Sequence, residues 1–297
     1  MSGLGVEKIV NLGLVGVGAW GRNYLTTVSK LSGVKISSVL RKTDSPLKIS
    51  PSIPVAKNFD ELLSSCDGVI VASPPDSHSE YVIRALDSGR PVLVEKPIAL
   101  NIESAHRMFE CSINSGVPLL VGHIHLFSPA FQVLRAWTSD WELKSIESLA
   151  GNWGPFRSYS PLLDWGPHDV SMCLSLFSEP PEDVFAERVE SGAGYLYELT
   201  LTFGDSTATL KFGNGLEKKV RNFSVSSGKD KAVYDGTFTF RGKPVPIAPT
   251  TPLEEMVLSF VSCVAEGKTD WRYEPSLALR TASVLDKAAT LISTRRA

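Results

Sequence analysis

The stretch that most restricts what this chain can become lies near its start, where an apolar run breaks into glycines. Ile9, Val10, Leu12, Leu14, Val15 and Val17 lead into and through Gly16-Val17-Gly18-Ala19-Trp20-Gly21. The run reads as a strand buried on both faces, and the glycines fall where a strand would turn into a helix. A tight turn at Gly16, close backbone approach at Gly18 and close helix packing at Gly21 would aim the N–H groups around Ala19 and Trp20 at a pyrophosphate. The pattern predicts a dinucleotide-binding loop; taken alone, it leaves a plain glycine-rich turn open.

Beyond Gly21 the strand-and-helix unit repeats. Tyr24, Leu25, Val28 and Leu31 are spaced for a helix on the sheet, Gly33 is placed to end it, and Val34 to Leu40 reads as the second strand. A fold of this kind that takes NAD offers an acid to the ribose about 20 residues past the last loop glycine. That count lands on Arg41, followed by Lys42, and two cations there would hold a 2′-phosphate, which favours NADP(H) over NAD(H). A solvated basic turn, with Asp44 reaching the ribose, is the alternative. Further strands are expected at Ile53 to Ala56, Asp67 to Ala72, Pro91 to Val94 and Val117 to Val121. Helices are expected from Phe59, from a cap at Asp76 or Ser77, and over Ala105 to Cys111. Strand and helix alternate, so the sheet should be parallel, with its ligand at the carboxyl ends of the strands, beside Gly16, Arg41, Ser73 and Glu95.

Lys96 ends one of those buried strands. A lysine there is costly unless its ammonium reaches an opening or an anion, and Pro97 holds its backbone extended. Beside a nicotinamide it could polarise a substrate oxygen, with Glu95 orienting it. A snorkelling surface lysine is the other reading. Asp164 and His168, four apart, suggest an acid–base pair. Pro167 suits the first position of a helix, which would put Asp164 in the preceding loop and His168 in the first turn, where the dipole disfavours imidazolium. A capping Asp and a surface His would explain the same letters.

The motifs resemble, in order, those of the glucose–fructose oxidoreductase and myo-inositol dehydrogenase family. They are Gly16-x-Gly18-x-x-Gly21, Ala72-Ser73-Pro74-Pro75-x-x-His78, Ala85-Leu86-x-x-Gly89, Val94-Glu95-Lys96-Pro97, Gly122-His123-Ile124-His125-Leu126-Phe127-Ser128-Pro129 and Asp164-Trp165-Gly166-Pro167-His168-Asp169. The resemblance implies hydride transfer between a nicotinamide cofactor and a secondary alcohol or ketone of a sugar, sugar nucleotide or polyol. Lys96, Asp164 and His168 would be catalytic. Gly16, Gly18, Ala19, Trp20, Gly21, Arg41, Lys42, Ser73, Pro74, His78, Glu95 and Lys96 would line the cofactor, and Lys96, His123, His125, Asp164 and His168 the substrate. Arg41 stands where many members have Asp, and Leu126 where many have Arg; the second segment is closer to members acting on nucleotide-linked or amino sugars. Relatives also include a non-catalytic regulator and NAD-dependent glycosidases, and both remain alternatives.

Beyond Ser145 the texture changes to alternating segments: Ile146 to Ala150, Asp183 to Val189, Tyr195 to Phe203, Thr207 to Phe212, Lys219 to Val225 and Thr237 to Phe240. Helices return at Pro252 to Glu266 and Ser276 to Ser293. For 297 residues, domains of about 150 residues each are the default. The expected fold is α/β: a Rossmann dinucleotide-binding domain over 1–122, then an α+β domain over 123–297 with an open, mainly antiparallel sheet. Tyr195, Tyr197, Leu199, Leu201 and Phe203 alternate on one side of a strand and are large for a solvent face, so a homodimer or homotetramer through that sheet is expected.

A formal charge of -2 and the lack of a basic run argue against nucleic acid. No leader and no long apolar run suggests membrane insertion, and Cys66, Cys111, Cys173 and Cys263 are too scattered for a zinc site, so a cytoplasmic protein with reduced thiols is expected. His123 and His125 would face one side of a strand, but no third ligand stands at a recognisable spacing and no metal is expected.

Overall fold

The computed structural model describes residues 9–41 and 50–294. The elements run β1 (Val10–Val15), α1 (Ala19–Val28), β2 (Val34–Leu40), α2 (Phe59–Ser64), β3 (Gly68–Val71), α3 (His78–Asp87), β4 (Val92–Glu95), α4 (Ile102–Ser115), β5 (Leu119–Gly122) and α5 (Pro129–Trp137). They continue with β6 (Ser145–Trp153), α6 (Pro161–Leu174), β7 (Asp183–Ser191), β8 (Gly194–Phe203), β9 (Ser206–Gly213) and β10 (Gly215–Ser226). Short strands β11 (Lys231–Tyr234), β12 (Phe238–Phe240) and β13 (Lys243–Pro244) precede α7 (Pro252–Glu266) and α8 (Pro275–Thr294).

Two compact units result: Met1–Ala99 with Glu103–Gly122 and Leu253–Pro275, and Leu100–Ile102 with His123–Pro252 and Ser276–Ala297. The first holds a parallel sheet in the order β2-β1-β3-β4-β5. Strands β3, β4 and β5 are buried along their length because both faces are covered, while the edge strand β2 exposes Lys35; Leu12, Leu14, Ile70, Leu93 and Leu120 are fully buried. The register pairs Val15 with Leu40 and Val71, Val71 with Val94, and Val94 with Val121. The strands therefore end level, and Gly16, Arg41, Ala72, Glu95 and Gly122 line up along one carboxyl edge. Val55 adds only a single bridge to Val39, where a short strand is expected.

Assigning 123–297 whole to the second domain needs correction, because Leu253–Pro275 belongs with the parallel sheet. A Cβ placed on Gly68 of β3 would stand 2.6 Å from Val264 Cγ2 and 3.2 Å from Phe260 Cζ of α7. The bare Gly68 backbone makes room for that helix. An amphipathic stripe states that a helix covers a core, not which core it covers.

The second unit is an eight-stranded sheet in the order β13-β12-β11-β10-β6-β9-β8-β7, antiparallel except where β6 pairs parallel with β9. Helix α6 lies on β6 and β9. Gly166 permits this, since a Cβ there would meet Leu285 Cδ2 at 2.5 Å and Phe212 Cζ at 3.1 Å.

Two further expectations fail here. The Tyr197, Leu199 and Leu201 side of β8 is core and not an outer face: Tyr197 is 2% exposed and both leucines 0%. Tyr197 stacks on Phe212 and Phe203 on Phe177. Burial of each large apolar side chain contributes roughly 1.5–3 kcal/mol, so the larger residues turn inward, leaving Leu196, Glu198, Thr200 and Thr202 on the other side. The stripe therefore carries no argument for a subunit interface. Helix α6 also begins earlier than Pro167. Ser160 caps it by accepting the Leu162 N–H, Pro161 takes the first position, and Pro167 lies inside. Both prolines fit a helix start, but only Pro161 follows a capping hydroxyl.

Candidate active site

In the first unit the glycine loop is built as its spacing implies. Gly16 has φ +88°, and a Cβ on it would lie 2.7 Å from the Ala72 carbonyl oxygen and the Ser73 amide. A Cβ on Gly21 would overlap the Gly16 carbonyl. Gly18 differs: it is exposed, and a Cβ on it would point into open space. It sits at the N-cap of α1, where the Arg22 N–H donates back to the Gly18 carbonyl at 3.1 Å. The N–H groups of Ala19, Trp20 and Gly21 precede that bond, so the loop fits a dinucleotide pyrophosphate: a bare cradle that a side chain at Gly18 would fill, facing orphan donors. Arg41 leaves β2 directly beside it, because Gly16 N–H donates to the Leu40 carbonyl at 2.9 Å. Lys42 and Asp44 lie outside the described residues.

The loops after β3 and β4 are tied together. His78 is 1% exposed and sets Nε2 2.8 Å from the Ser73 carbonyl and Nδ1 3.1 Å from that of Pro97. Burial pushes its pKa below 6.5, against the pull of those carbonyls. A neutral imidazole carries one N–H, so His78 donates to one of these carbonyls while its ring lies against both the Ser73-Pro74 turn and the Lys96-Pro97 turn. No side-chain cap forms at α3; the Ser77 hydroxyl bonds to Ser73 Oγ (2.7 Å) and the Pro74 carbonyl instead.

Glu95 ends β4 and Lys96 follows it, and both are buried, Lys96 at 9% exposure. Tyr24 donates its hydroxyl to Glu95 Oε1 at 2.6 Å, and the Lys96 N–H donates to Oε2 at 3.2 Å. Burial raises the Glu95 pKa, opposed by the Tyr24 hydrogen bond and the Lys96 charge. Periodicity places Tyr24 on a packing face; its hydroxyl partner stands 71 residues away, which no local pattern reports.

In the second unit His123 and His125 do not share a strand face as expected: Ile124–Phe127 is a 3-10 turn and His123 its N-cap. His125 packs edge to face on His168, ring centroids 4.9 Å apart. Its Nδ1 and Tyr234 Oη are hydrogen-bonded at 2.7 Å. Tyr234 lies in β11, a strand that sequence periodicity misses. Asp164 is in the first turn of α6, so its carboxylate and not the His168 imidazole meets the positive end of the dipole. Arg157 donates Nε–H to Asp164 Oδ2 at 2.9 Å, and Tyr159 donates to Oδ1 at 3.4 Å. Asp169, next to His168, is completely buried and accepts from Arg221 Nη1 at 2.8 and 2.9 Å.

A parallel sheet with an open glycine cradle at its carboxyl edge, and buried Glu95 and Lys96 on the same edge, has the architecture of a dinucleotide-binding domain. Residues 10–123 match the sequence model of an oxidoreductase family with an NAD-binding Rossmann fold, Gfo/Idh/MocA. A candidate oxidoreductase from Magnetospirillum magnetotacticum MS-1 has a crystal structure similar to this one, with TM-score 0.84, 30% identity, and coverage of 93% of this chain and 98% of that one. The chain belongs to this family. It is 27% identical over 290 residues to 4-carboxy-2-hydroxymuconate-6-semialdehyde dehydrogenase of Sphingobium sp. (strain NBRC 103272 / SYK-6), covering 87% of this chain and 91% of the relative. It is 31% identical over 135 residues to inositol 2-dehydrogenase of Agrobacterium fabrum (strain C58 / ATCC 33970), 42% of this chain. The chain spans only 40% of that dehydrogenase's length. No helix among the described residues is long and apolar enough to cross a membrane.

Proposed function

We propose that the protein transfers hydride between a nicotinamide cofactor and a secondary alcohol or ketone of a sugar, sugar nucleotide or related polyol, with NADP(H) preferred over NAD(H). The observation that carries this reading is Glu95 and Lys96 at the carboxyl edge of the parallel sheet, both buried, with the Glu95 carboxylate held by the Tyr24 hydroxyl and the Lys96 backbone N–H. Family membership and the named activity of the inositol relative support the substrate class.

The nicotinamide, when bound, supplies the hydride acceptor or donor. In this reading Lys96 Nζ donates to the reacting oxygen and stabilises the negative charge that grows on it. His168 takes the hydroxyl proton or returns it. Asp164, held by Arg157 and Tyr159, orients the substrate hydroxyl. Arg41, where the β2 edge meets the phosphate cradle, pairs with a 2′-phosphate.

The test is nicotinamide absorbance with sugars, sugar nucleotides and polyols first found by thermal shift, since a ligand that binds only the folded state stabilises it. His168→Ala and Lys96→Ala should each lose about 10²- to 10⁴-fold in turnover. NADPH should bind at least about tenfold more tightly than NADH, a difference of about 1.4 kcal/mol, and Arg41→Ala should erase most of it. Wild-type rates in both catalytic variants would discard the assignment in favour of a non-catalytic cofactor-binding regulator.

A further inference from the structure

The loop between β6 and α6 contains an arginine whose fork the proposed reaction leaves unused. Arg157 is attached to Asp164 through Nε alone. Among the described residues, no protein hydrogen bond is made by its Nη1 or Nη2. The side chain is 39% exposed while that of Asp164 is 7% exposed, so the guanidinium is anchored at its buried end and open at its outer one. Arginine presents five N–H donors in a rigid plane matched to two oxygens of one oxyanion. An unanchored surface arginine would lose its rotamer freedom on binding such a group; Arg157 has already lost it to Asp164. Trp153 at the end of β6 and Phe156 in the loop stand edge to face, centroids 5.6 Å apart, both about half exposed. Exposed aromatic faces on the stretch of chain that carries the fork suit a ligand with an apolar ring face and an acidic group.

We propose that Arg157 is a specificity-determining residue: its Nη1 and Nη2 groups bind an oxyanion carried by the substrate, so that anionic sugars are selected over neutral ones. This rests on the reading of Asp164 as part of the substrate site. The oxyanion has two sources, a carboxylate on the sugar or the diphosphate of a nucleotide-linked sugar, and both offer paired oxygens to the fork.

The experiment measures kcat/KM for glucuronate, UDP-glucose and glucose with saturating NADP+ in the wild type, Arg157→Met and Arg157→Lys. Wild type is expected to prefer glucuronate or UDP-glucose to glucose by at least about tenfold, and whichever is preferred identifies the source of the oxyanion. Arg157→Met should lower that preference about 10- to 100-fold, chiefly through KM for the anionic sugar. Arg157→Lys, which keeps the charge and loses the fork, should restore part of it. An equal loss of kcat on all three sugars in Arg157→Met, with the preference intact, would overturn the proposal and leave Arg157 as a support for Asp164. So would a wild type that does not discriminate. Calorimetric titration of the same sugars separates this proposal from the reading beneath it. Arg157-dependent binding of an anionic sugar without nicotinamide turnover keeps the oxyanion site and removes the dehydrogenase reading. Turnover of glucose without Arg157-dependent binding of either anion does the reverse, and no binding of either anion by wild type overturns the oxyanion site outright.

Discussion

Glu95 and Asp169 are both buried carboxylates, one at the edge of the parallel sheet and one on the helix that covers the antiparallel sheet, and they are held in opposite ways. Burial pushes both pKa values up. At Glu95 the leading counterweight is a neutral phenol, Tyr24, and the Lys96 charge comes second. At Asp169 it is the charge of Arg221, with Nη1 2.8 and 2.9 Å from the two oxygens. The difference predicts a positioned group at Glu95 and a structural one at Asp169. A carboxylate locked to its own guanidinium has its charge balanced locally, whereas one held by a phenol leaves part of its field for a neighbouring ammonium.

The largest effect that could break this contrast is expected at Asp169. Asp169→Ala strands a nearly buried guanidinium and should cost about 3–5 kcal/mol in denaturant unfolding, whereas Asp169→Leu combined with Arg221→Met should recover most of that loss. A cost below about 1 kcal/mol would mean that the pair is not structural. Next comes Tyr24→Phe, which removes one hydroxyl from a buried carboxylate and should cost about 1–3 kcal/mol. If the phenol positions Glu95 for Lys96, the same variant should also lower turnover with cofactor affinity retained; unchanged turnover would reduce Tyr24 to packing.

The smallest effects lie in pH dependence and have opposite signs. Glu95 is raised in the folded protein, so its stabilising contribution is present below its ordinary value of 4.5 and is lost as pH rises through the folded value. His78 is lowered, so its contribution is present above 6.5 and is lost as pH falls through the folded value. Each slope should be at most about 1.4 kcal/mol per pH unit. Stability against pH should lose the first slope in Glu95→Gln and the second in His78→Asn. A slope that survives its substitution assigns it to another group.

Several features were legible from residues alone because their causes are local. Buried apolar runs and the glycine spacing follow from neighbours a few positions apart, whereas the level strand ends rest on pairings such as Val15 with Val71. The α6 start was also legible in Ser160-Pro161, but Gly166-Pro167 offers a second proline that fits the same rule, and only the cap hydroxyl separates them. The direction of the β8 stripe was not legible, because alternation states that two faces differ and is silent on which one a helix covers.

The sequence by itself determined a dinucleotide loop, a parallel sheet whose carboxyl edge carries Glu95 and Lys96, and an antiparallel second region, since periodicity and turn chemistry act over short separations. Tertiary structure decided what holds each of these polar side chains: Tyr24 on Glu95 across 71 residues, Tyr234 on His125 across 109, and Arg221 on Asp169 across 52. It also decided that α7 covers the first sheet. A buried polar group must be satisfied, but any donor the chain can bring to it will serve, so these pairings exist only once the strands and helices are packed.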